Sequence, residues 1–273
     1  MSDVVRLTLR SVIDQPIDCE GITPDRLAPL AEADIAKLTV WVGSRQARLG
    51  DFFDVKGERS DRLSIEGDLR RVDGLGVGTS GGEILIHGSV GRRVGAGMTG
   101  GWIDIRGDAG DDAGLAMQGG ALRVTGNAGD RVGAAHPGAS KGMVGGEIVV
   151  NGSAGTDAAA RARRGLVVVG GDVGADAARA MIAGTLLVFG RTGADPGRGS
   201  KRGSIVAIGP IDIPSTYEYA CTYQPGYVRL LLTHVYRRYG LTAENGALDG
   251  NYARYCGDAP SQRKGEILAY TPG

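Results

Sequence analysis

Reactive and aromatic side chains are scarce in this 273-residue sequence: three cysteines, three histidines, two tryptophans and three phenylalanines. Cys19, Cys221 and Cys256 are too far apart for a Cys-x-x-Cys redox or zinc motif, and three cannot all pair within one chain. A reducing, cytoplasmic setting is expected. His87, His136 and His234 stand alone, with no His-x-His or His-Glu-x-x-His spacing, so no metal site is expected. There is no Walker-type phosphate loop and no Ser–His–Asp set. An excess of either charge is also missing: 31 basic residues balance 31 acidic ones, which argues against a nucleic-acid partner. No apolar run approaches the roughly 18 residues that span a membrane. The N-terminal MSDVVRLTLR alternates like a strand and has no apolar signal core.

Glycine is the opposite case, with 48 residues, of which 37 fall between Gly67 and Gly209. They mark a repeat. GGEILIHG begins at Gly81, GGWIDIRG at Gly100, GGALRVTG at Gly119 and GGEIVVNG at Gly145. RGLVVVGG follows at Arg164, AGTLLVFG at Ala183 and RGSIVAIG at Arg202, while SDRLSIEG at Ser60 precedes them all. The spacing is 19 residues, except for 21 at the start and a single 26, where seven residues are inserted at His136 to Gly142. Met98, Met117, Met143 and Met181 hold one equivalent place.

Nineteen residues are too few for a strand–helix–strand unit. Five alternating residues between glycines read as one short strand, and the glycines supply corners with positive φ. This includes the two Gly-x-Gly-x-x-Gly matches at Gly76 and Gly95, each followed by a strand rather than a helix. The predicted fold is mainly β: a right-handed parallel β-helix of about eight coils with small α/β caps. Residues 1–59 form the N-terminal cap, 60–210 the glycine-rich β-helix and 211–273 a C-terminal strand and helix packed on it. Ile84, Ile103, Leu122, Ile148, Val167, Leu186 and Ile205 should stack inside, with the methionines beside them. In the N-terminal cap a helix is expected over Thr23 to Lys37, with Pro24 at its first position, followed by a strand at Thr39. In the C-terminal cap YEYACTY should be a strand, and Val228, Leu231, Leu232, Val235 and Tyr239 should share one face of a helix that Gly240 ends.

Outward positions change along the stack. Leu166, Val168, Leu187, Phe189, Val206 and Ile208 are apolar where the early coils are polar, so this face needs a cover, either the C-terminal segment or another subunit. Taken as an interface, it predicts that Phe189→Asp weakens assembly and spares the fold. Arg161, Arg163, Arg164, Arg179, Arg198, Lys201 and Arg202 gather on late coils with few acids between them. With His136 and Lys141 of the insertion they are candidates for an anionic ligand. Aspartates at Asp111, Asp112, Asp130, Asp157, Asp176 and Asp195 recur at coil corners and read as a solvated edge, with Arg92 and Arg93 one repeat before Asp111 and Asp112 forming surface ion pairs with them.

The Gly-x-x-Gly-x-x-x-Gly repeat resembles the C-terminal domain of the glutamate synthase large subunit. With its flanks VWVGSRQARLGDFFDV, YACTYQPGYVRLLL, NYARYCGD and KGEILAY, the whole chain is similar to the C subunit of formylmethanofuran dehydrogenases and of the bacterial formyltransferase/hydrolase complex. The resemblance implies a non-catalytic scaffold. Its partners would be an amidohydrolase-like subunit that holds metal, a formyltransferase subunit and a B-type subunit. The complex would move a formyl group from tetrahydromethanopterin to a methanofuran-type carrier and release formate. Such carriers have glutamate-rich tails, which makes Arg161, Arg163, Arg164, Lys201, Arg202, His136 and Lys141 candidate carrier contacts. A molybdenum or tungsten dehydrogenase remains the alternative assembly. A stand-alone β-helical enzyme is a further alternative, disfavoured by the lack of aromatics in the coils.

Overall fold

The computed structural model describes residues 4–243 and 246–272. The chain opens with β1 (Val5–Leu9) and β2 (Ile17–Asp18), then two single-turn helices, α1 (Pro24–Leu27) and α2 (Glu32–Ile35). The continuous helix expected over Thr23 to Lys37 is therefore split. Pro29 lies between the two turns, and a proline removes a helical hydrogen bond and clashes with the preceding turn. A hairpin of β3 (Thr39–Val42) and β4 (Arg45–Arg48), the turn α3 (Leu49–Phe52) and β5 (Phe53–Lys56) follow. The repeats supply β6 (Arg62–Glu66), the short β7 (Val72–Asp73), β8 (Glu83–His87), β9 (Trp102–Ile105) and β10 (Ala121–Val124). They continue with β11 (Glu147–Val150), β12 (Leu166–Val169), β13 (Thr185–Val188) and β14 (Arg202–Ala207). Last come β15 (Glu218–Tyr223), helix α4 (Gly226–Tyr239), β16 (Asn251–Gly257) and β17 (Lys264–Thr271).

The result is mainly β, dominated by one 13-stranded sheet in the order β15-β16-β17-β14-β13-β12-β11-β10-β9-β8-β6-β1-β5. From β1 to β17 every neighbouring pair is parallel, and only the end pairs β5/β1, β17/β16 and β16/β15 are antiparallel. Each repeat adds one strand in strict register. Ile84, Ile103, Leu122, Ile148, Val167, Leu186 and Ile205 are consecutive Cα partners, and all are buried. The column extends one strand past the repeats at each end, to Leu63 and Val5 and to Ile267. Segments assigned above to the two caps thus pair directly with the repeats.

The rest of each repeat is laddered as well. Single parallel bridges link Leu69, Val90, Ala109, Ala128, Ala154, Val173 and Thr192 in turn. Beside them, a side chain of one repeat accepts a backbone N–H of the next: Asp73 from Arg92 at 2.7 Å, Asp108 from Asn127 at 2.7 Å and Asn127 from Ser153 at 2.8 Å. Short Asx side chains suit this task because they reach neighbouring backbone without a long ordered stem. The four repeat methionines are fully enclosed, and the polarizable thioether fills the irregular space at the corners.

The outer apolar face has its cover within the chain. Val149, Leu166, Val168, Leu187 and Val206 pack against Val228, Leu232, Val235 and Tyr239 of α4 and against Tyr252 and Leu268. Each larger aliphatic so buried contributes about 1.5–3 kcal/mol before ordering costs. This corrects the assignment of Leu166, Val168, Leu187, Phe189, Val206 and Ile208 to an interface with another subunit. The first, second, third and fifth are buried under the chain's own C-terminal segment, and Phe189 and Ile208 are half-buried at the margin of the same cluster. Phe189→Asp is accordingly expected to loosen the C-terminal segment itself, seen as faster limited proteolysis after residue 210.

Candidate functional site

Three constellations of polar side chains stand out on the ladder. The first sits where α4 crosses β9 to β11. Glu147 accepts the Tyr239 hydroxyl at 2.5 Å, faces His234 Nε2 at 2.9 Å and lies 3.6 Å from Arg238 Nε. Trp102 stacks on Tyr239 with centroids 5.9 Å apart and planes within 9°, and Arg238 lies 5.3 Å from the Trp102 ring centre. Burial, with the Glu147 carboxylate beside it, pushes the Tyr239 phenol well above its ordinary range, so it remains a donor. The geometry describes a latch that ties α4 to the sheet, with Glu147 at its centre. Glu147→Gln is expected to cost about 1–2 kcal/mol, since a charge-assisted acceptor becomes a neutral one at a partly open site. Urea unfolding of the variant checks this.

The second constellation is the row of corner ion pairs. Arg131 meets Asp112 through Nε at 2.7 Å and through Nη2 at 3.0 Å. Arg179 pairs with Asp157 at 2.7 Å, Arg198 with Asp176 at 2.7 Å and Arg93 with Asp18 at 2.6 Å. Arg93, Asp112, Arg131, Asp157, Asp176 and Asp195 all have positive φ, so this corner admits residues other than glycine where a short polar or ion-pairing side chain stands there. Arg179 and Arg198 belong to this row and not to the basic edge expected from the sequence.

The third constellation is that edge. Arg163, Arg164, Lys201 and Arg202 are exposed, as are His136 and Lys141 of the insertion. Arg161 departs from the expectation. Its guanidinium donates to the Ala139 carbonyl at 2.6 Å and its own carbonyl accepts the Gly142 N–H, so it pins the insertion in place. His136 closes a turn of the insertion through its carbonyl to the Ala139 N–H. Sequence reading missed Lys264, which pairs in register beside Arg202. The available signal was the likeness of KGEIL to RGSIV and GGEIL, which places Lys264 on the same repeat position as Arg202.

Among the described residues, no three His, Cys, Asp or Glu side chains converge as a metal site, and no helix is long and apolar enough to cross a membrane. The three cysteines are free thiols. Burial, with Asp18 and Asp73 nearby, pushes Cys19 up to about 12, which keeps it protonated and unreactive. Iodoacetamide at mildly alkaline pH is expected to modify exposed Cys221 first and Cys19 only after unfolding, as read by peptide mass spectrometry.

No family model matches the chain. A segment of 88 residues is 39% identical to the C subunit of the formyltransferase/hydrolase complex Fhc of Methylorubrum extorquens, covering 32% of this chain and 33% of that protein. A segment of 99 residues is 34% identical to the C subunit of the molybdenum-containing formylmethanofuran dehydrogenase 1 of Methanosarcina barkeri, covering 34% of this chain and 33% of that one. These matches therefore span about a third of each curated relative. The structural match is end to end: a chain in the crystal structure of the formyltransferase/hydrolase complex (FhcABCD) from Methylorubrum extorquens, in complex with methylofuran, superposes with a TM-score of 0.88. That chain is 35% identical, with 98% of this chain and 99% of that one covered. On these grounds the chain belongs to the family formed by the C subunits of the formyltransferase/hydrolase complex and of the formylmethanofuran dehydrogenases.

Proposed function

We propose that this chain is a non-catalytic scaffold subunit of a formyltransferase/hydrolase complex, folded as a right-handed parallel β-helix. The complex transfers a formyl group from tetrahydromethanopterin to a methanofuran-type carrier and releases formate. The reaction centres lie on an amidohydrolase-like subunit with its metal and on a formyltransferase subunit. A B-type subunit is the remaining member of the assembly, which works in the cytoplasm. The observation that carries this reading is the end-to-end likeness to a chain of the solved complex, at 35% identity. The ladder supports it physically. Its interior is filled with side chains, and the polar groups of the latch and of the corner row are committed to one another, which suits a rigid support. Two ladders traced by the same repeats, with the aliphatic columns buried between them, support the β-helical description. His136, Lys141, Arg163, Arg164, Lys201 and Arg202 are the proposed contact for the carrier's acidic tail.

Co-expression with the three other subunits tests the reading. A single co-eluting assembly, with formyl transfer and hydrolysis in the assembly and neither in the isolated chain, is expected. Activity of the isolated chain, or failure of the four to associate, overturns it. Likeness to the dehydrogenase subunits at 34–35% identity supports a second reading, the C subunit of a molybdenum or tungsten formylmethanofuran dehydrogenase. Mass spectrometry of subunits that co-purify from the source cells separates the two.

A further inference from the structure

We infer that the outward face of α4 is the surface on which another subunit docks, through an acidic amphipathic helix of that subunit. This rests on the proposed subunit role and names the face that serves it. Among the described residues the repeats expose no large apolar side chain, yet Tyr227, Leu230 and Tyr236 of α4 are exposed by 41, 72 and 57%. The inward face of the same helix, Val228, Leu232, Val235 and Tyr239, is already packed on the sheet. A surface helix normally has one apolar stripe, so apolar anchors on a second face call for a second burial partner. The outward stripe is Tyr227, Leu230, His234 and Arg237, at the i, i+3, i+7, i+10 spacing of a helix that lies alongside another. It covers ten residues, roughly 15 Å of helix, or almost three turns. Leu230, His234 and Arg237 also line an open groove of about 370 Å³, with Thr233 and Arg238.

Charge selects the occupant. α4 has three arginines and one histidine and no acidic residue. The acids around it are engaged: Glu147 faces His234 and Arg238, and Asp249 pairs with Arg229 at 3.1 Å. Arg237 forms no ion pair among the described residues, so the most exposed apolar side chain of the helix stands beside a cation that nothing neutralises. A helix with an apolar anchor flanked by carboxylates complements both features. A second copy of this chain does not. It brings the same cations to the contact, where like charges oppose association, and its other α-helices are single turns of four residues. Anionic lipid is a poor match as well, because the larger apolar face of α4 is turned to the sheet and few side chains remain to insert.

The test uses the assembly of this chain with the three other subunits. Hydroxyl-radical footprinting is expected to oxidise Leu230 and Tyr227 in the isolated chain and to spare both in the assembly. The variant L230D/R237E, with unchanged circular dichroism and melting, is expected to bind the other three subunits at least about tenfold more weakly. The wild-type association rate should fall with added salt more steeply than that of R237E, as steering by an acidic partner requires. Wild-type affinity in the double variant overturns the inference, as does a Leu230 that stays reactive in the assembly. An association rate indifferent to salt and to R237E removes the acidic partner. Two further results also defeat the inference if L230D/R237E abolishes them: dimers of the isolated chain, and binding of the isolated chain to phosphatidylcholine–phosphatidylserine vesicles. A wild type that joins none of the three subunits overturns the proposed function together with this inference. A double variant that joins them as the wild type does overturns this inference alone.

Discussion

A chain ending at Pro210 is expected to aggregate instead of folding as a shorter ladder. Removing β15, α4, β16 and β17 uncovers Leu166, Val168, Leu187 and Val206 together, a contiguous apolar stripe across three strands. It also strips β14 of β17, its neighbour on the side away from β13, leaving an open row of N–H and C=O groups at the end of a long parallel sheet. Each loss alone invites association, through the apolar patch in one case and the unpaired edge in the other. Size-exclusion chromatography with light scattering should show the full chain as a defined species and the truncated one as soluble aggregate or precipitate. A monodisperse, folded 210-residue fragment would mean that the C-terminal segment is an accessory and not a cover.

Gly120→Ala is expected to cost about 2–5 kcal/mol, combining a left-handed backbone penalty with overpacking against main chain that has no room to yield. Gly120 has φ +79°, and a Cβ there would lie 2.7 Å from the carbonyl carbon and oxygen of Gly100. The equivalent residues Gly82, Gly101, Gly146, Gly165, Gly184 and Gly203 are glycine in every repeat after the first, which has Asp61 there, and each of these glycines has positive φ. Gly97→Ala is the control. Its φ is +64°, but its Cβ would meet nothing within 4 Å, and the next repeat already has Ala116 at that place with φ +53°. Chemical denaturation of both variants should separate the steric cost at Gly120 from the conformational cost common to the two.

The stacking of the repeats could be read from the sequence because glycine spacing and aliphatic alternation agree over eight copies, and each copy settles the register of the next. Its ends could not. Val5–Leu9 lacks the bounding glycines, and Lys264–Thr271 follows the last recognised repeat after a long excursion through a helix, so neither extended the period. The basic edge was visible as composition, but its membership was not. Arg161, Arg163 and Arg164 look alike in sequence, and only backbone geometry turns the first inward to hold Ala139. Likewise, the apolar residues from Leu166 to Ile208 announced a missing cover without naming it. Amphipathicity says that two surfaces each need a partner, not that they are each other's.

The seven-residue insertion at His136 to Gly142 carries a last consequence. β10 and β11 on either side of it keep the pairing Leu122↔Ile148 unbroken, so the extra residues leave the ladder's pitch untouched. Contour length and end-to-end length are thereby uncoupled, and the molecule behaves as a gauge. Any two side chains on the same column stand a whole number of strand steps apart, whatever loops intervene. Evolution can hang new loops on such a gauge, or an engineer a tag at the insertion, without changing the separation of whatever is mounted at its two ends.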